Sequence, residues 1–451
     1  MSGASSLKRA VSRWECVGVA INDVVGSGVY LLPAATAALL GGASLWAILA
    51  AGLAVSLLVL CFAEASSHFD EPGSGYLYTR EAFGPFVAFE VGWMKWIASV
   101  TTSASLSNGA AQALGFLWPG LVEGAGRVAV IFGALALFTW INVVGVRSGA
   151  RTAAGLAVAK MMPLLLLVVF GLFVIDMGSV LQDSAPSTRG LGEAALLILF
   201  AYAGFENSPV TAGECRNPRR DLPFALITMI TVVTILYFLV QLVALGTLPD
   251  LGARVEGAPL ADAAVLLMGG WGGALLTAGA VVSILGTIGG STLTGPRFLF
   301  AMAEDGFGPE VLARIHPRWR TPHVAITTQT SLAFVLALSG TFVQLALLSV
   351  IARFAIYMGT AASVPVLRRK LPVGPDTIRL PGGPAIPIAA LSLCLAFLAN
   401  AEARNLMLGA VALATGAAIY AFRRNPVAAL PTDPTRASGN EEAPGGDRGL
   451  P

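Results

Sequence analysis

An all-α polytopic membrane protein is the fold class this chain predicts, on three observations. Of 451 residues, 55% are hydrophobic and only 12% are charged, whereas soluble proteins carry about a quarter charged residues. Folded in water, such a chain would expose large apolar patches, so its solvent is lipid. Second, apolar windows of the ~20 residues needed to cross a hydrocarbon core of about 30 Å recur about twelve times. Third, two of these windows, the first and the sixth, are interrupted near their middle by glycine or proline.

The first window, 14–39, follows Lys8, Arg9 and Arg13 and has Gly26-Ser27-Gly28 near mid-depth. It carries no small-residue cleavage site and reads as a retained span rather than a signal peptide. Windows 44–66, 85–115, 127–147 and 152–177 are apolar helices, with Lys95 in the third span and Lys160 in the fifth. The sixth, 191–212, contains Tyr202-Ala203-Gly204-Phe205-Glu206-Asn207-Ser208-Pro209. Windows 222–247, 271–301, 323–340 and 342–367 continue the pattern, Arg353 lying in the last, and 384–401 and 405–422 complete it. The chain thus divides into a tail 1–13, a core 14–370 with repeats over about 14–177 and 191–368, two helices within 371–424, and a tail 425–451. That last stretch, rich in Pro, Gly, Asp and Glu, is expected to be disordered.

Orientation follows from charge. With the N-terminus inside, external connections hold only Arg127, Arg189, Arg254 and Arg404 of the 28 Lys and Arg. Cytoplasmic loops carry the positive excess, so both termini are expected in the cytoplasm and the span number is even, in the plasma (cell inner) membrane.

Glycine adopts backbone angles other residues avoid and proline lacks a donor, so each interrupted helix should split into halves with free N–H and C=O groups. Irregular backbone at that depth is tolerated only in protein or against a wet cavity. The breaks lie five spans apart. Because five is odd, the second set of five runs upside down relative to the first, and interrupted segments at corresponding positions of inverted halves point to a midplane binding site.

Other classes fit poorly. A net charge of +2 does not suggest a nucleic-acid partner. Cys16, Cys61, Cys215 and Cys394 have no metal or disulfide-framework spacing. His68, His316 and His323 form no HExxH and no GxxxxGK[ST] occurs, so neither a metalloenzyme nor direct ATP drive is indicated, and no cofactor is expected. A channel would lack a saturable site. No feature of the sequence sets an oligomeric state.

Four stretches carry a family resemblance: GSGVYLLP at 26–33, PGSGYLYTREAFGP at 72–85, AYAGFENSPVTAGECRNPRRDLP at 201–223 and GPRFLFAMAEDGFGPEVLARIHPRWRTP at 295–322. The chain resembles the amino acid, polyamine and organocation transporter superfamily, which implies the leucine-transporter-like fold of two inverted five-helix repeats plus two further helices. The expected function is secondary active transport of an amino acid by alternating access, sodium-independent, with a neutral L-amino acid moved with a proton or against a counter-substrate. The alternative is a cationic amino acid or polyamine antiporter.

Half-helix N-termini attract anions and C-termini offer carbonyls to cations. The substrate carboxylate should therefore meet the Ser27 hydroxyl and the backbone of Gly26, Ser27 and Gly28, as the resemblance also implies. At positions matching the family's backbone ligands, the carbonyls of Val24, Phe200 and Ala203, next to Gly204, should meet the ammonium. Relatives place a closing aromatic where Phe200 stands. Some arginine exchangers carry a second aromatic where this chain has Ser291, which speaks against arginine. Glu206, a carboxylate inside a span, marks an ion or proton path, and similar transporters use the glutamate there in pH-dependent substrate handling; otherwise it caps the break. Lys160 matches a lysine whose ammonium replaces sodium in many relatives, with snorkelling to the interface as the bland reading. Asp23 adds a second carboxylate that attracts an ammonium, binds a proton or pairs with Lys160, Arg353 or Lys95. Lys95 and Arg353 each need a partner that the sequence does not name.

Overall fold

Every apolar window is helical, and both interrupted windows are divided. The computed structural model describes residues 11–70, 73–144, 150–180, 188–304, 306–307, 309–372, 374–375 and 377–422. The tail expected over 425–451 and residues 1–10 lie outside that set.

The first span is two helices, α1 (Arg13–Val24) and α2 (Gly28–Leu40), parted at Val25-Gly26-Ser27. Ser12 and Glu15 form a reciprocal capping box that starts α1. The second and third spans are α3 (Ser44–Ser66) and α5 (Pro85–Leu114), joined through the short helix α4 (Ser74–Phe83). Spans four and five are α6 (Gly124–Val144) and α7 (Ala150–Gly171), and α8 (Met177–Val180) follows. The sixth span is α9 (Thr188–Tyr202) and then a 3₁₀ stretch, Phe205–Glu214. Next come α10 (Pro218–Thr247), the connecting helix α11 (Pro259–Met268), α12 (Gly270–Glu304) and α13 (His323–Leu338). The remaining spans are α14 (Phe342–Lys370), α15 (Ala385–Ala399) and α16 (Ala403–Ala421).

Sequence periodicity did not anticipate α4, α8 and α11. Each is at most ten residues, about 15 Å at 1.5 Å per residue, too short to cross the bilayer. Span boundaries also shift. The seventh begins at Pro218, not 222, because proline at a first helical position needs no intrahelical donor. Among the described residues, six helical stretches are by themselves long and apolar enough to cross a membrane. The sixth span is not among them, because its helix stops at Tyr202.

Within the bundle α5 lies between α14 and α12, α10 lies along α3, α2 along α9, and α1 along α7 and α10. The middle of α5 is buried and built of small residues, Ser99, Ser103, Ser105 and Ser107 among them, which lets backbones approach where lipid supplies no hydrophobic drive between helices. Large apolar side chains such as Val158, Phe173, Val335 and Met407 face outward, as hydrocarbon permits. At one end Arg368 of α14 binds the buried Glu64 carboxylate of α3, Nη2 to Oε2 at 2.7 Å, and the backbone N–H of Leu380 donates to the same oxygen at 3.0 Å. Helices α15 and α16 pack on the outside of α3, α5 and α14.

Candidate functional site

The two breaks touch. Gly204 has φ +126°, a region that favours glycine, and a β-carbon there would run into the carbonyl of Asp23. One turn further, a β-carbon on Gly28 would lie 2.6 Å from the Cα of Ala201. Two chain segments can approach so closely only because both positions lack a side chain.

At the first break the end of α1 leaves carbonyls without intrahelical partners, and neighbouring helices supply donors. The Lys160 ammonium from α7 donates to Asn22 O at 3.1 Å and to Val25 O at 3.4 Å. Ser283 of α12 also donates to Val25 O, at 3.0 Å, and Tyr237 of α10 donates to Val24 O at 3.3 Å and Ala201 O at 2.9 Å. Lys160 is fully buried, so its stem runs inward to the break and not out to the interface. These donors meet the requirement that polar backbone at membrane depth be paired.

At the second break Glu206 turns back to accept the Gly204 N–H at 2.9 Å, while its own carbonyl accepts from Ser74 at 2.6 Å. Its carboxylate is fully buried and ringed by donors: Lys95 of α5 at 2.9 Å, the Arg353 guanidinium of α14, and the Tyr357 hydroxyl at 3.4 Å. Arg353 in turn donates to Thr102 at 2.8 Å and to Ser349 at 3.4 Å. Glu206 is therefore the partner that Lys95 and Arg353 needed, and the cluster ties α5, α14 and the broken sixth span together. The pairing that the sequence left open for Asp23 is not observed: among the described residues no cation lies within 4.0 Å of its carboxylate, because Lys160 turns to carbonyls and Lys95 and Arg353 turn to Glu206.

Between the breaks lies a cavity lined by residues of both, the kind of concave site where small ligands bind. Asp23, Val24, Gly26, Ser27 and Gly28 line it from the first break, and Phe200, Ala203 and Gly204 from the second. Ser291 of α12 also lines it. Glu206 and Lys160 do not; they stand behind the wall, each bonded to a break. Sequence reasoning did not single out Asn22, Thr102, Leu106, Asn207 or Thr287 as part of this lining, and it left Arg353 without a place there. Asn22 and Asn207 lie on the broken spans themselves, whereas Thr102, Leu106, Thr287 and Arg353 reach the cavity because α5, α12 and α14 pack around the breaks.

The cavity offers unspent hydrogen-bonding capacity. The Ser27 hydroxyl and the Asn22 side-chain carbonyl are buried without a partner among the described residues, and buried polar groups are rarely left so. The first amides of α2 precede its first intrahelical bonds, which Tyr30 and Leu31 make back to Ser27 O. Phe200 is almost fully buried, its ring edge-on to Phe342 at 5.9 Å between centroids. Among the described residues no cluster could hold a metal.

A family model described as amino acid permease matches residues 11–422. Among curated proteins, the serine/threonine exchanger SteT of Bacillus subtilis (strain 168) is 29% identical over 402 residues, covering 86% of this chain and 90% of its own. The branched-chain amino acid permease BcaP of the same organism is 27% identical, covering 93% and 94%. The methylthioribose transporter of that organism is 26% identical with the same coverage, 93% and 94%.

Proposed function

The chain belongs to the amino acid permease family, a family of transporters and not enzymes, and from that premise we propose that it carries a small neutral L-amino acid by alternating access, without sodium, together with a proton or in exchange for a second amino acid. The observation that carries this reading is the cavity lined by both of the touching helix breaks. The substrate carboxylate binds the Ser27 hydroxyl and the backbone at Gly26, Ser27 and Gly28. Its ammonium binds the carbonyls of Val24, Phe200 and Ala203. Hydrogen bonds to charged groups contribute about 1.5–3 kcal/mol each, so a few suffice for an affinity that still permits release.

Arg353 supports the neutral reading over the cationic one. Its guanidinium lines the cavity, and with Lys95 beside it two cations face the single Glu206 carboxylate. A cationic substrate side chain would enter a field already positive on that wall. Asp23, a carboxylate on the same cavity, favours the second reading, a cationic amino acid or polyamine exchanger. The relatives named for serine, threonine and branched-chain amino acids agree with the first.

For coupling, Lys160 occupies the place of a cation at the first break, and Glu206 holds the second in its binding shape. Asp23 is the carboxylate left facing the cavity and receives the proton. On this reading both termini lie on the cytoplasmic side of the plasma membrane, which the Lys and Arg distribution supports. The test is uptake by the protein in vesicles over a panel of amino acids and polyamines, with and without a pH gradient. Competition by neutral amino acids is expected; competition by arginine or polyamines alone would replace this reading with the second.

A further inference from the structure

Beyond the first break, α1 is clasped to the chain that follows the second break. The Arg216 N–H donates to Val11 O at 3.0 Å, and the Arg13 guanidinium pairs with Asp221 at 3.3 Å while lying 4.8 Å over the Phe224 ring. Trp14 meets the same ring edge-on at 5.3 Å. At the centre of the clasp the Cys16 and Cys215 sulfurs are 2.9 Å apart, although 199 residues separate them. Both side chains are buried, at 2% and 0% exposure. Cys215 directly follows the 3₁₀ half of the sixth span. The thiols therefore join the two half-spans that lie on the N-terminal side of the cavity.

We infer that Cys16 and Cys215 form an oxidisable latch: one disulfide between them locks α1 against the 215–217 connection and stops transport by holding the cavity shut on the side of the membrane that carries the N-terminus. The step balances simply. Two thiols lose two protons and two electrons and gain one S–S bond, and a disulfide oxidant such as oxidised glutathione is reduced to two thiols. An S–S bond needs sulfurs about 2.05 Å apart, and the two sulfurs already stand 2.9 Å from each other. Because both thiols are covered while the clasp is closed, an oxidant or alkylating reagent reaches them only when α1 lifts. The locking half of this inference rests on the transport reading above; the clasp itself does not.

The test uses the full chain in vesicles, treated with copper(II)-phenanthroline in air, with maleimide labelling as a second readout. The expected result is a Cys16–Cys215 peptide pair under non-reducing digestion, uptake reduced at least tenfold, recovery with reductant, and indifference of Cys16→Ala to the oxidant. A disulfide that leaves uptake unchanged overturns the lock, and failure to form one overturns the latch. If the reduced protein carries no substrate on the panel, the transport reading fails instead. The clasp is then judged by labelling of Cys215 in Cys16→Ala, which Arg13→Ala should speed several-fold; equal rates overturn it.

Discussion

Ser27 and Glu206 show how differently two buried polar residues behave beside the same cavity. Glu206 is saturated by Lys95, Arg353, Tyr357 and the Gly204 N–H. Such a cluster adds little net stability once desolvation is counted, but removing Glu206 would strand buried cations at a cost of about 3–5 kcal/mol or more. Its value lies in fixing the shape of the break. Ser27 is the opposite case, a hydroxyl with no partner among the described residues. Removing it should leave folding untouched and weaken only substrate. Ser27→Ala is expected to raise the half-saturation concentration about tenfold or more, the equivalent of one hydrogen bond to a charged group, with an unchanged melting temperature. A lower melting temperature with unchanged affinity would mean that the hydroxyl serves the fold. The place of Ser27 at a helix break was readable from Gly26-Ser27-Gly28. That of Arg353 was not, because its partners lie on helices far away in the chain.

At the scale of the element, a break is stable only when another break fits against it. Gly204 sits where the Asp23 carbonyl arrives, and its positive φ adds a second demand for glycine. Gly204→Ala should therefore force the two half-spans apart, abolishing uptake and lowering the yield of folded protein. Gly133→Ala is the control, since a β-carbon there meets nothing within 4 Å in the middle of α6, where alanine suits a helix better; it should be silent. Equal behaviour of the two variants would contradict the close approach. The interruptions themselves were legible, because glycine and proline in an apolar window cannot propagate a regular helix. The 3₁₀ form of Phe205–Glu214 and the helices α4, α8 and α11 were not. Short connecting helices are held by packing and caps rather than by a long apolar period.

For the whole molecule, Lys160 links the scales: an ammonium from α7 fills the carbonyl cluster at the end of α1, the kind of place a sodium ion would take. Uptake should be the same in sodium and choline media, and Lys160→Met should lose at least tenfold of it without rescue by sodium; dependence on sodium in the parent protein would remove this role. By itself the sequence determined that the chain is a helical protein living in lipid and which two apolar windows are broken, because bilayer thickness and the chemistry of glycine, proline and charge act on short stretches of chain. Only the tertiary structure decided that the breaks meet, that Glu206 and not Asp23 takes Lys95 and Arg353, and that Arg353 reaches the cavity. Those outcomes depend on contacts between residues more than a hundred positions apart, and side chains at such separation are brought together by the packing of whole helices, which no local pattern encodes.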